Sequence, residues 1–341
     1  MGGLKINGYY LDRPGDSSWV RLRNRLTRRP IPPFPRTLQI QTFTGCNADC
    51  IFCPYGVTYD SQPRGKMSPE LFKRIIDEAA GYRVRRISPY LMNEPLMDRD
   101  LFDKVRYINA TIPDCKVVVT SNGHFLTPSV VDRILEMGGG IHELYVSFQG
   151  VDKESYERTM RGNMNFERTL ANVDYFLSAQ RSRGLERPKL WITMVDTNII
   201  DARSAVAYWR SRGVAAKYTT LENRGGNIRD AESISRTGAM SYYTTCTRLF
   251  KQAYILFNGD LVLCCVDYSR EQVLGNIARS SIREVWNGPV ATQIRRRYLD
   301  REFAALPLCG RCKIDEIREV SVEPDGTETI GGADLLEETG V

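Results

Sequence analysis

Histidine is nearly missing from this chain: of 341 residues only His124 and His142 carry an imidazole. Zinc sites that mix histidine and cysteine therefore have little to draw on. Long apolar runs are missing too. No stretch approaches the roughly 20 apolar residues of a membrane-spanning helix, so no membrane partner is expected. Charge of one sign is in small excess, 47 basic against 41 acidic residues for a net +6. The basic run Arg21, Arg23, Arg25, Arg28 and Arg29 has no aromatic platform interleaved with it, so it reads as a solvated amphipathic arm and nucleic acid is not an expected partner. Arg295, Arg296 and Arg297 read the same way, as the solvated side of a late helix.

Cysteine is abundant instead, with nine residues. The odd count, the length and the lack of a secretory leader point away from a disulfide framework and towards a reducing cytoplasm. Three of the nine, Cys46, Cys50 and Cys53, lie in the run Gly45-Cys46-Asn47-Ala48-Asp49-Cys50-Ile51-Phe52-Cys53-Pro54-Tyr55, spaced C-x3-C-x2-C. Structural zinc takes four protein ligands, and neither histidine is near. A ferredoxin-like carrier would show a fourth cysteine close by, and none follows before Cys115. Three thiolates so closely spaced suit three corners of a [4Fe–4S] cube. The fourth iron is then open to a small molecule, which makes a redox enzyme the leading expectation.

From residue 37 the pattern alternates short β-branched runs with amphipathic helices. Strands are expected over 37–43, 85–91, 115–121, 143–149, 190–195 and 215–221. Helices are expected between them, with Ser68-Pro69 and Thr127-Pro128 as N-terminal signals. Six such units predict a mostly parallel sheet with helices outside, curved into a partial (βα)6 TIM-like barrel. Chemistry is then expected at the C-terminal strand ends, where the cysteine run falls. The Gly- and Ser-rich stretch 223–237 reads as a domain boundary. Beyond it Tyr254–Phe257, Asn258-Gly259 and Leu261–Cys264 read as a hairpin. A basic helix is expected over 282–299, and an acidic tail from Asp315 that wraps the surface or frays. The expected organisation is an arm over 1–36, the barrel over 37–230 and a smaller unit over 231–341.

With the cysteine run after the first strand of a six-unit array, residues 37–313 resemble the radical S-adenosylmethionine (SAM) superfamily. The resemblance implies SAM bound to the open iron and cleaved by one electron to a 5′-deoxyadenosyl radical that takes hydrogen from substrate. Met92-Asn93-Glu94-Pro95 stands where the family has a Gly-Gly-Glu-Pro-like segment, with the glycines replaced. The SAM-facing residues implied are Asn93, Glu94, Ser121, Asn122, Ser147 (a ribose contact) and Arg161 (a partner of the SAM carboxylate). Cys246, Gly259 and Cys264 fit C-x12-G-x4-C, and Cys309-Gly310-Arg311-Cys312 is a C-x2-C pair. This part resembles the SPASM/twitch extension, which implies one auxiliary [4Fe–4S] cluster on Cys246, Cys264, Cys309 and Cys312. A zinc ribbon on the same four cysteines is the alternative.

Two reactions are compatible with these residues. In one, Cys265 gives a hydrogen atom to the substrate radical, as a cysteine does in epimerases of the family. In the other, dehydrogenation, Glu222 or Asp196 takes a proton and the auxiliary cluster an electron. Cys115 is expected in the core. The resemblance implies a small polar substrate such as a sugar, aminoglycoside or nucleoside natural product, and a flavodoxin- or ferredoxin-type electron donor. Peptide maturation, radical decarboxylation, RNA modification and, outside enzymes, a two-cluster electron carrier are the competing readings.

Overall fold

The computed structural model of the chain describes residues 29–315, together with 9–10, 17–19, 22, 319–322 and 328–331. Six strands run parallel in chain order: β1 (Thr37–Ile40), β2 (Arg86–Ser88), β3 (Lys116–Ser121), β4 (Glu143–Ser147), β5 (Lys189–Val195) and β6 (Ala215–Thr219). The register carries Leu38 to Ile87, Val119 to Leu144, Leu144 to Leu190 and Ile192 to Ala216. Helices α1 (Pro69–Ala80), α2 (Leu101–Thr111), α3 (Pro128–Glu136), α4 (Lys153–Met160), α5 (Phe166–Ser182) and α6 (Ala202–Ser211) connect them. Ser68 caps α1 through the Leu71 N–H, with Pro69 at its first position. Ile75, Ile76 and Ala79 of α1, Val131 and Leu135 of α3 and Phe176 of α5 are buried in the main core, as is Cys115.

Helix α4 was not expected from periodicity. Its mean composition is polar, and its start is a local signal, Asp152 accepting from the Ser155 N–H. The expected long helix over 282–299 is two, α7 (Ile282–Asn287) and α8 (Pro289–Leu299). Pro289 cannot continue α7 and instead opens α8. Arg295 corrects the solvated reading of the late arginines. It is buried, its guanidinium lies 3.8 Å from the Trp286 ring centroid, and it donates to the Leu249 and Trp286 carbonyls.

The expected boundary near residue 230 is no break in the sheet. Strand β7 (Gln252–Ile255) pairs parallel with β1, and β8 (Asp260–Val262) and β9 (Val273–Asn276) extend that edge antiparallel. The expected hairpin is β7–β8, turning at Gly259 with φ of 87°. The Gly- and Ser-rich stretch is packed rather than loose: Asn223 holds the Arg311 carbonyl and the Lys313 N–H, and Ser235 donates to Asp315. On the other edge β10 (Glu319–Val322) pairs with β6, and β11 (Glu328–Gly331) pairs with β10. Part of the tail read as wrapping or fraying is thus edge strand, and the remainder lies outside the described residues. Arg21, Arg23, Arg25 and Arg28 of the basic arm also lie outside them. Among the described residues no helix is long and apolar enough to cross a membrane.

Candidate functional site

The cysteine run leaves the end of β1 as a loop held from several sides. The Cys46 N–H donates to the Tyr55 hydroxyl at 2.9 Å, and the Glu94 N–H donates to the Gly45 carbonyl at 2.8 Å. After α4 the chain turns back and clamps the loop. The Asp49 N–H reaches the Met160 carbonyl, Ile51 N–H the Thr159 carbonyl, and Asn163 N–H the Asn47 carbonyl. Gly162 makes this approach feasible. Its φ is 64°, and a Cβ there would stand 2.8 Å from the Asn47 carbonyl oxygen. In Met160-Arg161-Gly162 the glycine thus carries a constraint that the sequence reading passed over in favour of the arginine. Arg161 itself is exposed and donates to the Asp49 carbonyl, with the Asp49 carboxylate 3.8 Å away. Its guanidinium thus lies against the cysteine loop, and its assignment to the SAM carboxylate stays a proposal.

Glu94 is buried between the ends of β2 and β3. One carboxylate oxygen accepts from Ser121 Oγ at 2.7 Å and from the Leu96 N–H at 3.0 Å; the other accepts from the Asn122 N–H at 2.7 Å. Burial pushes its carboxyl up to about 7, against the lowering effect of these three bonds. Glu94 and Ser121 therefore hold each other, an arrangement that suits positioning of the strand ends. Asn122 reaches the cysteine loop, its amide donating to Asn47 Oδ1 at 2.8 Å. Asn93 differs. Its Oδ1 accepts from the Leu91 N–H, while its Nδ2 is buried without a hydrogen-bond partner. Met92 just before it has φ of 56°, a left-handed conformation that costs a non-glycine residue about 1–2 kcal/mol. Ser147, at the end of β4, is half-buried and accepts from Gln149 Nε2 at 2.9 Å.

The C-terminal cysteines meet in one pocket. Cys246, Cys264, Cys309 and Cys312 line it together with Arg248, Tyr243 and Tyr298. A second apolar cluster, including Leu249, Leu263, Val266 and Leu308, encloses it. Burial pushes the Cys246, Cys309 and Cys312 thiols up to about 12. In the loop, burial and then the Glu94 charge push Cys46 up to about 12, and burial with its cysteine neighbours raises Cys50. Buried thiols crowded together in this way become thiolates only against bound cations, so both donor sets suit a metal cluster. Among the described residues no three His, Cys, Asp or Glu side chains stand close enough for one metal ion. The corners of a four-iron cube lie farther apart than the ligands of a single ion. Cys265 is not part of the pocket lining. It packs at the pocket's edge and on the small cluster of Leu91, Tyr254, Leu256 and Val262 that Met92 also joins.

The two carboxylates expected as bases are already engaged. Asp196 accepts from Arg236 at 2.8 and 3.4 Å. Glu222 accepts from Arg248 at 2.5 and 3.1 Å, with Arg224 at 3.6 Å. The Arg248 and Arg224 guanidiniums hold the Glu222 carboxyl below its usual value despite burial. Pairing of this kind lowers the proton affinity of Glu222, which counts against Glu222 as a base, while both Asp196 oxygens are committed to Arg236. Two residues that the sequence reading missed stand between the cysteine sites. The Tyr268 hydroxyl lies 3.4 Å from Cys53 Sγ, and the field of Arg224 is felt by Tyr268, Cys265 and Cys53 together. No sequence signal marks Tyr268 or Arg224.

The radical SAM superfamily model matches residues 40–194, and the model of an iron-sulfur cluster-binding domain, SPASM, matches residues 246–313. The chain is 32% identical over 148 residues to an AdoMet-dependent heme synthase of Methanosarcina barkeri, covering 42% of this chain and only 40% of that protein's length. It is 22% identical over 276 residues to the S-adenosyl-L-methionine-dependent 2-deoxy-scyllo-inosamine dehydrogenase of Niallia circulans, covering 81% of this chain and 91% of the relative. Among solved structures, BtrN in complex with AdoMet and 2-DOIA superposes with a TM-score of 0.59 at 21% identity, over 81% of this chain and 92% of that one. Streptococcus suis SuiB bound to precursor peptide SuiA superposes with a TM-score of 0.61 at 17% identity, over 78% and 67%. At these identities the structural likeness concerns the fold.

Proposed function

Because the chain belongs to the radical SAM superfamily and carries a C-terminal SPASM iron–sulfur domain, we propose that it takes hydrogen from a C–H bond of a small polar metabolite of the sugar, aminoglycoside or nucleoside kind. Its cofactors are a SAM-binding [4Fe–4S] cluster, an auxiliary cluster and SAM. When bound, the first cluster and SAM supply a 5′-deoxyadenosyl radical. We assign Cys46, Cys50 and Cys53 to that cluster and Cys246, Cys264, Cys309 and Cys312 to one auxiliary cluster. Asn93, with its unpaired buried amide, is the side chain best placed to meet SAM, and Ser147 remains the candidate ribose contact. Glu94, Ser121 and Asn122 keep the loop and the rim in register. A flavodoxin- or ferredoxin-type donor in the cytoplasm would supply the electron.

The placement of Cys265 carries the reaction. It lies outside the auxiliary pocket lining, near Met92 and within the field of Arg224, between the two cysteine sites. A thiol there can return a hydrogen atom to a substrate radical, which inverts the carbon without net oxidation of the substrate and leaves a Cys265 thiyl radical that takes an electron from the external donor and a proton from solvent before the next turnover. A hydrogen bond from Cys264, with Arg248 and Arg224, pulls the Cys265 thiol down in the free protein. Once Cys264 is a thiolate ligand it has no proton to give, and its charge pushes Cys265 back towards the protonated donor form. Dehydrogenation is the second reading, favoured by the dehydrogenase relative that matches over 81% of this chain.

The test is turnover in deuterium oxide with a panel of sugars, aminocyclitols and nucleosides, following 5′-deoxyadenosine and product mass. One solvent deuterium in an otherwise isomeric product supports epimerisation, and Cys265→Ala should then abolish it. A product two hydrogens lighter, formed equally by Cys265→Ala, would sink epimerisation in favour of dehydrogenation.

A further inference from the structure

The Arg248–Glu222 pair is more than a structural salt bridge, because its two charges stand at unequal distances from the auxiliary pocket. Arg248 lines that pocket with the four cysteines and is buried. Its position is fixed on both sides. It follows Cys246 by two residues in the chain, and its guanidinium takes both carboxylate oxygens of Glu222. Glu222 sits behind it, beyond the pocket lining but close enough for its charge to be felt at Cys246 and Cys312. Behind Glu222 stands Arg224 at 3.6 Å, whose own field reaches Cys53 and Tyr268 at the other cysteine site. The order from pocket to barrel rim is therefore cation, anion, cation.

We propose that Arg248 and Glu222 set the electron affinity of the auxiliary cluster, in opposite directions. This rests on the four-cysteine cluster assigned above. Reduction adds one negative charge to a cluster bounded by protein. A guanidinium at the pocket wall stabilises that charge and raises the reduction potential; a carboxylate behind it opposes. Enclosure matters, since water screens such charges strongly in the open and weakly in a buried pocket. Net charge and solvent exposure are among the levers by which a protein moves an iron–sulfur potential. The pair thus has two functions. Glu222 orients Arg248 and keeps it desolvated at low cost, and Arg248 makes the pocket a better electron acceptor. Both are positioning residues that act through the cluster.

The experiment is a redox titration of the iron-loaded enzyme followed by electron paramagnetic resonance, reading the cluster signal that SAM does not perturb. Arg248→Gln should shift the one-electron equilibrium at least tenfold towards the oxidised cluster, a fall of about 59 mV or more. Glu222→Gln should move it the opposite way, and Arg248→Lys, which keeps the charge, should stay near wild type. A purely structural role predicts no ordered signs. Unmoved potentials, or shifts of the same sign in both neutral variants, overturn the proposal while leaving the ligand assignment intact. A wild-type protein with no second redox-active cluster overturns the ligand assignment and the proposal with it. If Arg248→Gln fails to fold, the upward shift in Glu222→Gln decides alone.

Discussion

The two cysteine sites, both assigned here to iron, gather their donors by different means. The first packs its donors into eight consecutive residues, Cys46 to Cys53, on one loop. Its stability comes from outside, through the clamp after α4, the Asn122–Asn47 bond and the Glu94–Gly45 bond. The second draws its donors from three separated stretches, around Cys246, Cys264 and Cys309-Cys312, and closes them in an apolar cluster. A local loop of three donors can leave a corner of a four-iron cube free. A pocket assembled from distant segments uses every donor to close itself. The contrast between an exposed-edge loop and an enclosed pocket thus follows from how far apart the donors lie in the chain.

The sharpest way to break this comparison is to remove ligands from one site at a time. Cys46→Ala and Cys309→Ala/Cys312→Ala should each lower iron from about eight to about four per chain, from two four-iron clusters. Only Cys46→Ala should abolish SAM cleavage. Loss of SAM cleavage in both, or zinc released from the second variant, would merge the two sites into one function or make the second structural.

A glycine that packs on the first donor loop separates their supports. Gly162→Ala places a Cβ against the Asn47 carbonyl in a left-handed backbone. Iron anaerobically retained at the first site should fall severalfold while the auxiliary cluster persists. Equal loss at both sites would mean that the clamp supports the whole fold rather than the loop.

Glu94 gives a pH signature. Its carboxyl sits at about 7 in the folded protein against 4.5 for the free group. A raised carboxyl means that the folded state holds the extra proton between those values. Stability is therefore greatest below about pH 4.5 as far as this group is concerned, and falls as pH rises through about 7, by roughly 3 kcal/mol at 1.36 kcal/mol per pKa unit. Unfolding midpoints of Glu94→Gln should lack this slope. Parallel pH profiles for the variant and wild type would remove Glu94 as its source.

The smallest effect concerns the wall of the second site. Arg295→Met should cost about 1–3 kcal/mol, because two buried carbonyls lose their donor. Iron content should be unchanged. A change within experimental error in chemical denaturation would return Arg295 to the solvated role first expected of it.

Much of the fold was legible because its signals are local. Ser68-Pro69 starts α1 as read, and Thr127-Pro128 starts α3. The polar helix α4 was invisible to periodicity, and the break at Gly288-Pro289 was overlooked although its residues are plain. The cysteines were legible by spacing alone. The protein partners of Arg161, Glu222 and Asp196 were not, because a charged residue at a strand end reads the same whether it faces a ligand or a neighbouring charged group. Tyr268 and Arg248 carried no pattern, since their meaning lies in contacts across more than 200 residues for the first and 26 for the second.

By itself the sequence determined the parallel βα alternation, the three-cysteine loop at the first strand end and the two groups of donors. Strand period, turn chemistry and ligand spacing act between near neighbours and need no tertiary context. Only the tertiary structure decided which charges cancel, which amide of the rim stays unpaired and which thiol lies outside the auxiliary pocket. It also decided that strands from beyond the expected boundary extend both edges of the barrel sheet. Those outcomes depend on burial and on partners distant in the chain, where the dielectric is low and a single contact fixes the role of a side chain.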